Sequence, residues 1–259
     1  MQNRGIPGAI LFDVDGTLAE TEEAHRRAFN QAFQDFDLPW SWSSELYGRL
    51  LAVTGGKERI SHFIAAYGAN PVLDGATIAD LHRHKTSLYE REVFEGGLVL
   101  RDGVERLIRS AADAGVQVGV ATTTTKANVD ALLTATLGAA WERMVPVVAA
   151  GDMVKAKKPA PDIYELALAR LDCAGEEVVA IEDSRNGLLS AVGAGVRVLV
   201  TPSSYTAGED FIQAVAVVDR LGDPGVPSRV LSGPPLLEDF VDLAYLGAVL
   251  GAGERGSAA

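Results

Sequence analysis

Cysteine is almost missing from this 259-residue chain, where Cys173 stands alone. One thiol excludes an internal disulfide and suits a reducing compartment, and its plain reading is a surface or half-buried side chain. Positive charge is scarce too. Lys and Arg number 23 against 35 Asp and Glu, a formal charge of -12, which argues against nucleic acid or an anionic membrane as the main partner. A small anion stays open if the basic residues gather in one pocket. Long apolar runs are absent: none reaches the roughly 18 residues of a membrane helix. Met1 to Gly8 holds one arginine and no apolar stretch of signal-peptide length. The expectation is a soluble, cytoplasmic chain, long enough for two compact units of about 100 to 200 residues each.

What is present is organised around Ala9-Ile10-Leu11-Phe12, four apolar residues running into Asp13-Val14-Asp15-Gly16-Thr17. So short a run fixes no period, but turn residues on both sides fit a strand buried on both faces. Asp13 and Asp15 then lie at its carboxyl end. Residues at i and i+2 point to one side of a strand, so both carboxylates, or one carboxylate and the other's backbone carbonyl, can converge on one cation.

After Thr17 the pattern becomes helical. Thr21 is positioned to cap a helix whose buried face is Ala28, Phe29, Ala32, Phe33 and Phe36. Glu22 and His25, three apart in its first turn, can face the Asp13 strand end, although first-turn acids also serve only the helix dipole. Residues 36–44, with Pro39, Trp40 and Trp42, break the pattern. Further helices follow around Tyr47, Leu50 and Leu51 and around Ile60, Phe63 and Ile64. Between them Gly55-Gly56-Lys57-Glu58-Arg59 reads either as an anion site at a helix start or as an ordinary turn. A helix over 78–93 carries His82, Lys85 and Arg91 on its polar face, and Phe94 to Gly97 closes this all-helical insertion.

Strands and helices then alternate: helix 103–114, strand 116–122, helix 126–137, a short strand near 145–149, helix 161–171, strand 178–182, helix 187–193, strand 196–200. Such alternation predicts an α/β fold, a parallel sheet with helices on both faces, and ligands bound beyond the carboxyl ends of its strands. Polar residues collect at those ends. Val116 to Ala121 runs into Thr122-Thr123-Thr124-Thr125, suited to phosphate oxygens or simply to helix capping. Lys158 lies just upstream of a helix opened by Pro161. Val178 to Ile181 delivers Glu182-Asp183, and two acidic strand ends in one sheet can form the oxygen-rich site that Mg2+ prefers.

Together the four pieces resemble the haloacid dehalogenase superfamily of phosphotransferases. DVDGT matches its first motif, Thr122 its second, Lys158 of KKPAPDIY its third, and Glu182-Asp183 of EDSRNG its fourth. The insertion looks like the helical cap of the β-phosphoglucomutase-like branch. LAETEEAHRRAF, TGGKERI and AGDMV narrow the likeness to CbbY-type sugar bisphosphate phosphatases, whose substrate is xylulose 1,5-bisphosphate, an inhibitory by-product of Rubisco. The likeness departs at Asp102, where many relatives carry proline, and after Ser203; neither departure is expected to touch the reaction centre.

The resemblance implies a Rossmann-like core, 1–18 and 97–259, with a cap at 19–96 and a disordered tail at 251–259. It implies Asp13 as nucleophile and Asp15 as the acid that protonates the leaving oxygen and then deprotonates water. Mg2+ is expected on Asp13, the Asp15 carbonyl and Asp183, with Glu182 binding it directly or orienting its water. Lys158, Thr122 and the Thr123 amide would hold the phosphoryl group. Substrate contacts are expected from Glu22, His25, Tyr47 and Arg59, with Lys57 and Lys85 added because a second phosphate needs local positive charge, and Gly56 for the amides of the Gly55-Gly56 turn beside Arg59. For Tyr47 and Lys85 a partly exposed cap surface is the alternative. The expected partner is a small sugar phosphate, with no nucleic acid or membrane, and the chain acting as a monomer. A sugar phosphomutase and an inactive phosphosugar-binding module are the competing readings.

Overall fold

The computed structural model describes residues 5–252. Strand β1 (Ala9–Phe12) is followed by four helices: α1 (Glu22–Asp35), α2 (Ser44–Leu50), α3 (Gly56–Tyr67) and α4 (Gly75–Phe94). Next come α5 (Val104–Ala114), β2 (Gln117–Ala121), α6 (Lys126–Leu137), β3 (Val147–Ala149) and α7 (Asp162–Leu171). The chain continues through β4 (Val178–Glu182), α8 (Arg185–Gly193), β5 (Arg197–Val200), β6 (Ala216–Val218), β7 (Val230–Ser232) and α9 (Leu243–Ala252).

The strands form one sheet in the order β3-β2-β1-β4-β5-β6-β7. β1 is central, paired in parallel with β2 and β4, and only β7 runs antiparallel to its neighbour. The continuous apolar run of β1 divides by pleat. Ile10 and Phe12 enter one hydrophobic cluster with α5, α6 and α9, whereas Ala9 and Leu11 enter another with α7 and α8. Alternate residues face opposite sides of a strand, so a strand covered by helices on both faces needs apolar side chains at every position.

Helices α1 to α4 pack mainly on one another. Phe29, Phe33, Trp40, Trp42, Tyr47 and Phe63 form their core, with the Trp42 ring 4.7 Å from Phe29 and 4.9 Å from Phe33. The stretch 36–44 that breaks the helical pattern therefore supplies two core tryptophans. Phe36 is only half buried and caps α1, with Asp37 in a left-handed conformation (φ 53°). The chain enters and leaves this insertion side by side, Ala19 bridging Leu100 and the Arg101 amide donating to Leu18 O at 2.8 Å.

Element ends moved for local reasons. α4 begins three residues before the expected 78 because Asp74 accepts from the Thr77 amide at 2.7 Å, and α8 begins at Arg185 rather than 187 because Ser184 caps it. No element is expected from the sequence pattern beyond residue 200, yet β6, β7 and α9 are there, the last packing Tyr245, Leu246 and Val249 into the core. Of the tail expected at 251–259, Gly251 and Ala252 finish α9 and the rest lies outside the described residues.

Candidate active site

The carboxyl ends of β1, β2 and β4 and the N-terminal ends of α1 and α3 enclose a cavity of about 190 Å³. It is lined by Asp13, Asp15, Thr123, Lys158 and Asp183 from the sheet side and by Glu22, His25, Gly56, Lys57, Arg59 and Lys85 from the insertion. Thr54 Oγ1 donates to the Lys158 carbonyl and Asn186 Nδ2 to Ala52 O at 3.4 Å, so the insertion lies closed over the strand ends.

Asp13, Glu182 and Asp183 place one carboxylate oxygen each within 4.8 Å of one another, all buried. Lys158 Nζ lies between two of them, 2.6 Å from Asp13 Oδ1 and 2.6 Å from Glu182 Oε1, and Tyr164 donates to the same Glu182 oxygen at 2.5 Å. Gly16 is required here. It turns the chain at φ 83°, and a Cβ on it would fall 2.2 Å from Asp183 Oδ2. Burial pushes the Asp13 carboxyl up to about 7 against the pull of Lys158, with Glu182 and Asp15 adding repulsion. Burial and the charge of Asp13 hold Asp183 well above the usual carboxylate range. Such an excess of buried negative charge, with Glu182 Oε2 lacking a hydrogen-bond partner among the described residues, fits a divalent cation among oxygen donors.

Asp13, at about 7 folded against 3.8 in the open chain, holds a proton that unfolding releases, and Asp183 acts in the same direction. In chelator, the melting temperature is expected to fall as pH rises from about 4 to 7. Mg2+ is expected to raise it more at pH 8 than at pH 5. A melting temperature in chelator that is flat or rising across that window would remove the case for an excess of buried negative charge.

Asp15 is not part of the acidic group; its carboxylate turns the other way. Thr21 Oγ1 donates to Asp15 Oδ1 at 2.5 Å, and His25 Nε2 lies 3.0 Å from the same oxygen. Thr21 therefore makes no side-chain cap at the start of α1, because its hydroxyl serves a charged acceptor instead. Burial alone would raise the Asp15 carboxyl, but the charge and hydrogen bond of His25 and the bond from Thr21 outweigh it and bring it down to about 2. Behind His25 stands Lys85, its Nζ 2.6 Å from Nδ1. The 2.6 Å between Nζ and Nδ1 holds a single proton, so a charged His25 faces a neutral Lys85, and a charged Lys85 faces a neutral His25 that keeps its proton on Nε2, toward Asp15. The His25 ring stacks on Tyr89 at 4.0 Å, fixing its plane.

Lys85 and Tyr47 are both buried, so a partly exposed surface role for either is ruled out. Burial, with Arg59 nearby, brings the Lys85 ammonium down to about 7, Asp15 partly opposing. Tyr47 sits behind the cavity wall, donating to Glu22 Oε2 at 2.7 Å and accepting from Arg59 Nη1 at 3.0 Å. It orients an acid and a guanidinium that do reach the cavity. Thr122 and Glu182 also stand behind the wall, the Thr122 hydroxyl accepting from the Thr124 amide at 3.2 Å.

Three participants carry no sequence signal. His82 lies on the cavity wall against Gly56, its basicity lowered to about 3 by burial and by Lys85 and Lys57. Tyr164 supports Glu182. The stretch after Ser203, expected to lie away from the reaction centre, reaches it: Thr206 Oγ1 donates to Asp183 Oδ2 at 3.1 Å. Each depends on a contact between residues far apart in the chain, which periodicity cannot reveal.

The family profile of haloacid dehalogenase-like hydrolases matches residues 7–195. The protein CbbY of Cereibacter sphaeroides is 49% identical over 217 residues, 84% of this chain and 94% of that protein. The plasmid CbbY protein of Cupriavidus necator is 46% identical over 245 residues, 93% of this chain and 95% of that protein. Among solved structures, a CbbY mutant from Rhodobacter sphaeroides in complex with xylulose-(1,5)bisphosphate superposes with a TM-score of 0.80 at 49% identity, covering 83% of this chain and 95% of that one.

Proposed function

This chain belongs to the haloacid dehalogenase-like hydrolases as a phosphatase of the CbbY type, and from that premise we propose that it removes the 1-phosphate of xylulose 1,5-bisphosphate through an aspartyl phosphate on Asp13. The observation that carries the reading is one cavity between the strand ends and the insertion, lined with cations from both sides, Lys158 and Lys157 from the sheet and Lys57, Arg59 and Lys85 from the insertion. A bisphosphate needs its two dianions neutralised separately. The reacting phosphate fits the Asp13 side, where Lys158 and the Thr123 amide hold its oxygens. The other fits the start of α3, where the Gly55–Gly56 turn, Lys57, Arg59 and the neutral ring of His82 offer donors. CbbY of Rhodobacter sphaeroides has been crystallised with the same bisphosphate.

Asp13, Asp183 and Glu182 would hold Mg2+, with the Asp15 backbone carbonyl as a further donor. When bound, the ion supplies the charge that lets an anionic carboxylate meet an anionic phosphate. Asp13 Oδ attacks phosphorus, the bond to the sugar oxygen breaks, and a phosphoaspartate forms on the chain. Asp15 would lie beside the leaving oxygen, take up a proton from solvent as the phosphate enters, and pass that proton to the oxygen as its bond to phosphorus breaks. The approach of a phosphate dianion raises the Asp15 pKa and readies it for that transfer, while His25 and Lys85 hold its carboxylate in place. In the second half, Asp15 takes a proton from the water that releases phosphate from Asp13. Residues 19–96 act as the cap that excludes bulk water meanwhile, and the chain works in the cytoplasm as a monomer. No helix among the described residues is long and apolar enough to cross a membrane.

The deciding experiment is a phosphate-release screen over pentulose and hexose mono- and bisphosphates with Mg2+. We expect xylulose 1,5-bisphosphate to exceed xylulose 5-phosphate and the ribulose epimer in kcat/KM by about 100-fold. Lys57→Gln, at an exposed position, should cut the bisphosphate value by about 10-fold and leave monophosphates nearly unchanged. Equal turnover of mono- and bisphosphates would defeat the substrate assignment. β-Glucose 1-phosphate isomerised faster than phosphate is released, given a trace of its bisphosphate, would make the chain a mutase.

A further inference from the structure

The loop that follows β5 lies beyond the matched family profile, residues 7–195, yet it touches both halves of the cavity. Its inward residues serve the acidic cluster. Thr206 is buried and its Oγ1 accepts from the Ser203 amide at 2.9 Å, which leaves the hydroxyl proton to be aimed at Asp183 Oδ2, 3.1 Å away. Ser203 Oγ lies 3.0 Å from the same Thr206 oxygen. Asp183 Oδ2 is thus pinned between this hydroxyl and the bare Cα of Gly16, where no side chain would fit. Arg101 anchors the loop from behind, donating to Thr201 O at 2.8 Å, to Pro202 O at 2.8 Å and to Gly16 O.

The outward residue serves the insertion. The Tyr205 hydroxyl donates to Glu23 Oε1, and Glu23 is gripped by Arg26, whose Nη1 donates to Trp42 O at 3.0 Å. The Tyr205 ring meets Tyr47 edge-on at 5.9 Å and lies against Gly48, where an added Cβ would come within 3.3 Å. Tyr205 is therefore joined to the helix that carries Glu22 and His25 and to the tyrosine that orients Arg59.

We propose that Thr206 and Tyr205 are paired positioning residues, Thr206 aligning the Asp183 carboxylate for the cation and Tyr205 docking α1 and α2 over the substrate. This rests on reading Asp183 as a cation ligand. A ligating carboxylate keeps its free oxygen oriented through an outer hydrogen bond, and losing such a bond weakens metal binding by about 10- to 100-fold. Tyr205 donates no bond to the acidic cluster, so its loss acts on substrate instead.

The test measures Mg2+ affinity by calorimetry on the substrate-free protein, and KM and kcat for the bisphosphate at saturating Mg2+. Thr206→Val keeps the volume of a buried side chain and should weaken Mg2+ binding at least about 10-fold, with Thr206→Ser restoring it to within about twofold of the parent. Tyr205→Phe should bind Mg2+ like the parent and raise KM about fivefold or more while kcat changes less. The inference is overturned if Thr206→Val binds Mg2+ as the parent does, if Val and Ser weaken it equally, or if Tyr205→Phe leaves KM unchanged. A parent that binds no Mg2+ would bring down the cation site itself. A parent that binds it while the variants match it would remove only the loop's role.

Discussion

Asp13→Asn should give a folded protein that releases phosphate at least about 10⁴-fold more slowly than the parent at saturating Mg2+, the scale on which losing a nucleophile is felt. Asparagine fills the same volume and keeps an oxygen to accept from Lys158, which lies 2.6 Å from Asp13 Oδ1 and retains Glu182 as its other partner. What it cannot supply is an anionic oxygen to displace the sugar. The substitution also removes one of three carboxylates crowded within 4.8 Å. Since burial holds the Asp13 carboxyl at about 7, ionising it destabilises the metal-free fold, and a neutral amide there should melt no lower than the parent at pH 8. Thermal melts in chelator and phosphate release with Mg2+ separate the two effects. Turnover near the parental rate would end the assignment of Asp13, whereas a collapsed melt would show that the residue is structural.

Much of this centre was legible because a parallel sheet delivers its chemistry at strand ends. DVDGT, the threonine run and Glu182-Asp183 each follow an apolar run, and β1, β2 and β4, which carry them, are neighbours. The sequence does not show which way Asp15 points. Its alternation places Asp13 and Asp15 together, but the turn at Gly16 carries the second carboxylate to Thr21 and His25. Nor could it separate Lys85 on a solvated helix face from Lys85 buried behind His25, since a long polar side chain at helical spacing fits both. Arg59 and Glu22 share a partner in Tyr47, 25 residues from Glu22, and the loop at Ser203 reaches Asp183 across a gap of 23 residues at Thr206. Local pattern sets elements and the strand ends where a site forms. The polar pairings that tune it form between elements and leave no period to read.

Lys158→Met carries the other large expected effect, on folding as well as turnover. Lys158 is buried, its ammonium 2.6 Å from two carboxylates and 5.3 Å from the centroid of the Tyr164 ring. Burial by itself would lower the ammonium's pKa, but Asp13 and Glu182 outweigh it and hold the group charged well above its ordinary value. A methionine fills the channel and leaves both acids facing each other without a counter-ion. Removing one partner of such a buried pair costs about 3–5 kcal/mol. The loss should be greater at pH 8 than at pH 5: without the lysine, the Asp13 pKa moves further above its open-chain value, and the penalty grows with pH until that carboxyl ionises. Adding Glu182→Gln tests whether the defect is charge rather than shape. Glutamine still accepts from Tyr164, which donates to Oε1 at 2.5 Å, so the double variant should recover part of the lost melting temperature. Its turnover should stay at least about 100-fold below the parent, because the cation that stabilises the transferring phosphoryl oxygens is still missing. Denaturant melts at the two pH values, read beside phosphate release, tell a charge-balancing lysine from a filler: a single variant as stable as the parent would deny Lys158 its charge-balancing part, and a double variant that regains turnover would leave it no part in the chemistry.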